Sequence, residues 1–570
     1  MAWELLTNNM RKTIIKRQVD DVIVTKLIEA GVSPLLARLY AARGVKDADA
    51  LSASLNQIIP PNQLTNSAAM AKLLADAIAD KKKILIVGDY DADGATATAV
   101  AVKGLLSMGA QVDFLVPNRF EYGYGLTPKI VQLAATMQPD VIVTVDNGIA
   151  SVDGVFEANK LGIQVLITDH HLPSDETPQA ACIVNPNQHG CDFPSKNLAG
   201  VGVMFYVLLA LRAELRERGI FAKEQEPNLT ELLDLVALGT VADLVKLDAN
   251  NRILVEQGLR RIRAGACCAG ISALLKVAGR NESQVGAQDL GFYVGPRLNA
   301  AGRLDDMRLG IQCLLASEAE ALDIAQSLHD LNAERRSIES SMQDEALASL
   351  DNINVGDQYS ISLFESSWHQ GVVGILASRI KEQYHRPVIA FAESDDGLLK
   401  GSGRSIAGLH LRDALDMVTK RHPNLIVTFG GHAMAAGLTI NQDKFFEFQQ
   451  AFEDVVRELL TPADLQAVIE TDGGFAADEM NLYNAQLLAN QVWGQGFAPP
   501  LFSDTFSVIN QRIVGAKHLK VLLEKQGKRF DAIYFGQTES LPVQVEAVYQ
   551  LQVNSYNGVQ SVQLQLLHTA

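Results

Sequence analysis

The chain has no Cys-x-x-Cys pair. Its five cysteines, Cys182, Cys191, Cys267, Cys268 and Cys313, are an odd set without metal-ligand spacing. This argues against thiolate-held zinc or iron–sulfur centres and fits a reducing compartment. No apolar run reaches transmembrane length, and the start, Met1-Ala2-Trp3-Glu4, lacks the charged, apolar and small-residue regions of a signal peptide. A soluble cytoplasmic protein is the expectation. Internal repeats and low-complexity tracts are absent. Basic residues are the minority, 49 Lys and Arg against 66 Asp and Glu, for a formal net charge of −17. A basic coat is therefore excluded, whereas a local basic groove on an acidic body still permits nucleic acid, because binding responds to local fields. A cluster of metal-binding carboxylates would add to the same negative count.

A length of 570 residues exceeds what one hydrophobic core serves, and about two to four domains are expected. Residues 1–80 read as mainly helical. From Lys81 the pattern becomes strand–helix alternation, with strands over 84–87, 112–116, 141–145 and 165–168 and helices between them. Such alternation predicts βαβ units, a parallel sheet and an α/β fold. A helix-rich stretch follows to about residue 350. Its last part starts at the capping-box pattern Ser317-Glu318-Ala319-Glu320 and reads as one long connector helix. A second, smaller α/β segment has strands predicted over 359–364, 388–391 and 425–428. The remainder is β-rich, with alternating apolar residues from Val545 to Val553, a turn at Asn557-Gly558 and a returning strand through Val562, Leu564 and Leu566. The expected domains are a helical region over 1–80, a catalytic α/β domain over 81–315, a connector over 316–352, a second α/β domain over 353–460 and a β-barrel over 461–570.

Three of the first four strands end in polar residues of one kind. The first runs into Gly88-Asp89-Tyr90-Asp91-Ala92-Asp93-Gly94, the third into Asp146-Asn147-Gly148 and the fourth into Asp169-His170-His171. Ligands of open parallel sheets bind outside the carboxyl ends of the strands, so these groups should converge on one crevice. Asp, Asn and Gly also make ordinary turns, and for Asp146-Asn147-Gly148 alone that reading is as good. It fails for the set, since aspartates at alternate positions repel one another unless a cation neutralises them. The glycine-rich stretch lacks both the G-x-G-x-x-G spacing and a Walker lysine, which disfavours a nucleotide cofactor. Carboxylates with imidazole and no thiolate suit Mn²⁺ or Mg²⁺, and the number of oxygen ligands points to two ions. Further on, Gly401-Ser402-Gly403-Arg404-Ser405 reads as a small, flexible loop able to cradle a phosphate with N–H groups, a hydroxyl and a guanidinium. Lys517, His518, Lys520, Lys525, Lys528 and Arg529, interleaved with Phe530, Tyr534 and Phe535, suit stacking and backbone tracking of a single strand.

At these residues the chain resembles the DHH phosphoesterase superfamily, named for the motif standing here as Asp169-His170-His171, and within it the branch of single-strand exonucleases. Matching motifs run in order: 89–94, Pro117-Asn118-Arg119-Phe120, Val145-Asp146-Asn147-Gly148-Ile149, 237–243, 295–303, Trp368-His369-Gln370-Gly371-Val372-Val373-Gly374 and Gly430-Gly431-His432. The resemblance implies that Asp91 and Asp146, with Asp89, hold one ion and that Asp93, Asp146, His170 and Asp243 hold the other. Asp243 enters only through the resemblance, since its surroundings otherwise read as a helix cap. The catalytic set would be His171, Asp91, Asp93, Asp146 and His170. Arg119, Arg303, Ser402 and Arg404 would hold a 5′-terminal phosphate, with His432 lining the same cleft, and the terminal barrel would be an OB-fold. The implied activity is 5′→3′ hydrolysis of single-stranded DNA to 5′-mononucleotides in recombination and repair. Implied partners are single-strand-binding protein and a RecQ-type helicase, with the enzyme itself a monomer. Two rivals stand beside this reading. One is a pyrophosphatase or short-oligonucleotide phosphodiesterase of the same superfamily, which would lack the barrel. The other is a metal-free scaffold that only binds DNA, which would have lost ligands.

Overall fold

The computed structural model describes residues 12–118, 122, 125–221, 226–350, 357–394, 397–556 and 558–570. β1 (Thr13–Lys16) precedes helices Asp21–Glu29, Pro34–Ala41 and Ser67–Ala79. Then β2 (Lys83–Gly88), β3 (Gln111–Leu115), β4 (Val141–Val145), β5 (Gln164–Thr168) and β6 (Cys182–Val184) form an all-parallel sheet in the order β3-β2-β4-β5-β6. Side chains alternate across a strand, so Ile84, Ile86, Val141 and Val143 point into one core. Leu85, Val87, Ile142 and Val165 point into another on the opposite face. Double-sided burial explains the near-continuous apolar runs. It also leaves the polar strand tips as the part of this sheet open to chemistry.

The connector helix, Glu318–Leu350, has 33 residues and so spans about 50 Å. Its first turns bury Ala321, Ala325 and Leu328 in the core of the first body, and its last turns bury Met342, Ala346 and Leu350 against the second α/β domain. That domain contains β7 (Ile361–Phe364), β8 (Val388–Glu393), β9 (Leu398–Arg404), β10 (Thr428–Gly431) and β11 (Ala435–Asn441), ordered β10-β11-β9-β8-β7. Two expectations are corrected here. Residues 401–404 are not a flexible loop but the end of β9, paired with both β8 and β11. The strand expected over 425–428 begins only at Thr428, because Leu425 and Ile426 are core residues of the approach to it.

β12 (Val468–Thr471) pairs in parallel with β1, so the first 80 residues are not wholly helical and are tied to the far end of the chain. β13 (Phe502–Val514), β14 (His518–Lys525), β15 (Lys528–Phe535), β16 (Gln544–Tyr556) and β17 (Val559–Thr569) close a barrel in the order β13-β14-β15-β17-β16. The predicted β16–β17 hairpin is antiparallel as expected, while Asn557 of its turn lies outside the described residues. Much of the basic–aromatic set of the barrel is already engaged. Lys525 pairs with Asp504, Lys528 with Asp478 and Arg529 with Glu524. Phe530 is a core residue at 5% exposure. Lys517, His518, Lys520 and Phe535 lie outside these pairs, the last with its ring 5.1 Å from that of His518. Among the described residues, no helix is long and apolar enough to cross a membrane.

Candidate active site

β2 delivers Asp89, Asp91 and Asp93 through a turn that becomes helix Ala92–Ser107. Asp91 caps that helix, accepting from the N–H groups of Asp93 (2.9 Å) and Gly94 (3.0 Å). Asp93 is fully buried, and its carboxylate accepts from the first amides of helix Gly200–Glu217, Gly200 at 2.6 Å and Val201 at 2.9 Å. β4 ends at Asp146, which stands in the left-handed region at φ 62°. Helix Gly200–Glu217 approaches it so closely that a Cβ on Gly200 would lie 2.5 Å from the Asp146 Cβ. Only glycine fits there.

β5 supplies the imidazoles. His170 Nε2 lies 3.1 Å from Asp146 Oδ1, 3.5 Å from Asp243 Oδ2 and 3.9 Å from Asp93 Oδ2. Potential ligand atoms of Asp93, His170 and Asp243 lie within 4.8 Å of one another, as do those of Asp89, Asp91 and Asp146, and those of Asp146, His170 and His171. All the predicted ligands therefore gather at one crevice. Asp169, the first residue of the Asp-His-His motif, is in none of these groupings. Its buried carboxylate accepts from the N–H groups of Ile149, His170 and His171 and bonds His171 Nδ1 at 2.8 Å.

Burial and like charge dominate the electrostatics. Burial, then the field of Asp91, pushes the Asp93 carboxyl up to about 7. Burial together with Asp93, Asp91, Asp89 and Asp243 holds Asp146 well above the carboxylate range, and burial with Asp93, Asp91 and Asp89 does the same to Asp243. Burial lowers His170 to about 4, which leaves a neutral imidazole able to ligate. For His171 burial opposes the proton, but the bond to Asp169 and the charges of Asp169, Asp89 and Asp91 prevail and lift it to about 9. Asp146 Oδ1 and His170 Nε2 are buried without a hydrogen-bond partner. Buried, unsatisfied and mutually repelling ligand atoms are what divalent cations would satisfy, and the donor set of oxygens plus imidazole fits Mn²⁺ or Mg²⁺.

A pH dependence follows. A carboxyl whose folded pKa exceeds its unfolded value contributes most stability below the unfolded value, and that contribution is lost as pH rises through the folded one. For Asp93 this window runs from 3.8 to about 7. The metal-free protein should lose stability across it, and the rise in melting temperature caused by Mn²⁺ should grow across it. Thermal denaturation with EDTA or Mn²⁺ at a series of pH values checks this; a pH-independent increment contradicts it.

Across the cleft, β9 presents Ser402 and Arg404. Arg404 Nη1 donates to the Gly403 carbonyl at 2.7 Å and to Ser402 Oγ at 3.1 Å. Gly374, in the first turn of helix Val373–Tyr384, stands against both side chains: a Cβ there would lie 2.9 Å from Arg404 Nη2 and from Ser402 Oγ. No carboxylate among the described residues pairs with Arg404, and burial alone lowers its pKa. Arg303 Nη1 donates to the Gly371 carbonyl at 3.0 Å, joining the two domains. His432 is depressed first by burial and next by the charge of His171. Arg119 lies outside the described residues.

Several supporting residues escaped the sequence reading. Asn299 Oδ1 accepts from the Ala92 N–H at 2.7 Å and fixes the aspartate turn. Asn187 and Asn185 donate to the carbonyls of His170 (2.6 Å) and His171 (2.9 Å). Asparagines in turn-rich stretches look like ordinary turn formers; only the Asn185-Pro186-Asn187 spacing hinted at a paired role.

A parallel sheet with clustered carboxylates and imidazoles at its tips, facing an unneutralised arginine, defines a metal-dependent phosphoesterase of the DHH class. Residues 83–240 match the DHH family N-terminal domain, 356–458 the DHHA1 domain and 471–568 the RecJ OB domain. Over 553 residues the chain is 52% identical to the single-stranded-DNA-specific exonuclease RecJ of Dickeya dadantii, covering 94% of this chain and 95% of that one. The fold matches RecJ from Thermus thermophilus in complex with Mn²⁺ at TM-score 0.82 and 29% identity, over 99% of this chain and 80% of the other. The Mg²⁺ complex of the same protein matches at TM-score 0.76 and 28% identity, over 98% and 78%. The chain belongs to the RecJ family.

Proposed function

We propose that this chain is a single-stranded-DNA-specific exonuclease that works 5′→3′, releases 5′-mononucleotides and serves DNA recombination and repair. The observation that carries the reading is the pairing, across one cleft, of a buried carboxylate–imidazole cluster with an arginine that lacks an acidic partner among the described residues. The division of labour follows the domain limits 81–315 for cleavage, 353–460 for end recognition and 461–570 for binding the strand, with 1–80 as support and 316–352 as connector. Asp89, Asp91 and Asp146 would hold one Mn²⁺ or Mg²⁺; Asp93, Asp146, His170 and Asp243 would hold the other. Such a pair of ions, when bound, makes water nucleophilic at neutral pH and neutralises charge on the departing oxygen. Arg404, Ser402, Arg303 and Arg119 seat the 5′-phosphate, with His432 beside them, so that the first internucleotide linkage lies over the carboxylates. His171, held by Asp169, offers a proton to a non-bridging oxygen of that linkage. Single-strand-binding protein, a RecQ-type helicase and a monomeric state in the cytoplasm belong to the same proposal.

The test incubates the protein with single strands and duplexes labelled at either end, with Mn²⁺, Mg²⁺ or EDTA. The 5′ label should appear first, as a mononucleotide, from single strands and only with metal. Earlier release of the 3′ label would overturn the polarity, and undiminished release in EDTA would overturn the metal assignment.

A further inference from the structure

Phosphate and metal contacts alone do not distinguish a single strand from a duplex, because both carry the same backbone. The bases differ: a duplex hides their faces and a single strand exposes them. Exposed apolar side chains are common when scattered, but here they follow the site residues closely. Leu172, 59% exposed, comes directly after His171, and Leu244, 67% exposed, directly after Asp243. Met434, 50% exposed, follows His432 by two positions on the facing wall.

Leu244 and one further exposed side chain, Phe292, go further. Leu244 stands in the left-handed region at φ 60°, a strained conformation that leucine rarely adopts. Phe292 is 75% exposed and sits in a single wide turn of π type, Leu290–Val294. Such turns recur at functional sites. This turn packs on the end of helix Leu233–Ala242, the end that carries Asp243. A Cβ on Gly291 would lie 3.2 Å from Val241 Cγ1, and one on Gly295 would lie 3.1 Å from the Ala242 Cβ. The turn continues into helix Gly295–Leu304, where Asn299 bonds the aspartate turn and Arg303 reaches the second domain. Phe292 therefore stands about 16 Å from Arg303 along one helical rod.

Resting on the function proposed above, we infer that Leu244 and Phe292 form an apolar shelf that takes the unstacked bases on the 3′ side of the scissile linkage. A paired base cannot offer its face to the shelf, so the shelf contributes to selection of single strands. The strained backbone at Leu244 turns an apolar side chain outward immediately beside a group at the metal site.

The experiment measures kcat and KM for the full-length protein, in Mn²⁺, on 5′-phosphorylated thymidine oligonucleotides. The matched substrates carry abasic sugars at the second to fourth positions. Wild-type protein should show a KM about ten-fold higher on the abasic strand, the scale of one base–aromatic contact. In Phe292→Ala and Leu244→Ser that ratio should fall toward one, through a rise in KM for the normal strand, and Phe292→Trp should restore it. A wild-type protein that does not discriminate, or variants that lose activity equally on both strands, would overturn the shelf. Absence of any nucleotide release by wild-type protein would instead overturn the function on which it rests.

Discussion

Replacing Asp146 with Asn is expected to lower nucleotide release by on the order of 10³-fold or more, while raising the melting temperature of the metal-free protein. The two effects have one origin. Asp146 belongs to the ligand groupings on both sides of the crevice, with Asp89 and Asp91 and with His170 and His171. Its Oδ1 is buried without a hydrogen-bond partner, and burial followed by four other aspartates raises its pKa. An amide of the same shape removes the repulsion, so the empty site relaxes; it also removes the charge that would hold cations, so the Mn²⁺-induced rise in melting temperature should largely vanish. Release of labelled nucleotide and thermal denaturation with and without Mn²⁺ read the two effects together. Wild-type nuclease activity in this variant would remove Asp146 from the metal centre, and a fall in metal-free stability would contradict the electrostatic account.

Arg404→Ala should lower kcat/KM on 5′-phosphorylated single strands by about 10²-fold, the scale of losing a buried charge-assisted contact, and should spare 5′-hydroxyl strands. The guanidinium is half-buried without a carboxylate among the described residues, held by Ser402 and the Gly403 carbonyl at the first turn of a helix. Helix N-termini and unneutralised arginines both favour an anion. Ser402→Ala should produce a smaller loss with the same substrate dependence. An equal loss on both kinds of end would place Arg404 on the strand backbone rather than at its terminus.

How much of this was legible depended on whether a residue's partners were near in sequence. The strands of the first sheet were visible because burial on both faces writes continuous apolar runs, and their polar tips stood out against those runs. β9 was not visible, since Gly401 and Gly403 look like loop residues. They are glycine because a Cβ at 401 would meet the Phe391 ring at 2.5 Å and one at 403 would meet Leu411 at 2.7 Å. Within a strand, such glycines mark close packing rather than flexibility. Asp243 had no local signal, because a residue closing a helix becomes a candidate ligand only when the fold carries it to His170. Asp169 misled in the other direction: it belongs to the named motif, yet it orients His171 instead of joining the cluster. β1 escaped because its partner, β12, lies more than 450 residues away.

The β1–β12 pairing and the bidentate Arg43–Asp472 contact weld the first and last parts of the chain together. The barrel shares one continuous core with the first sheet, whereas residues 389–465 have a core of their own. The second α/β domain is thus an insertion into a body that carries both the first sheet and the barrel. On the proposed function, the strand-binding barrel and the carboxylate cluster belong to one body, Ser402 and Arg404 to the other, and the Arg303–Gly371 contact bridges them.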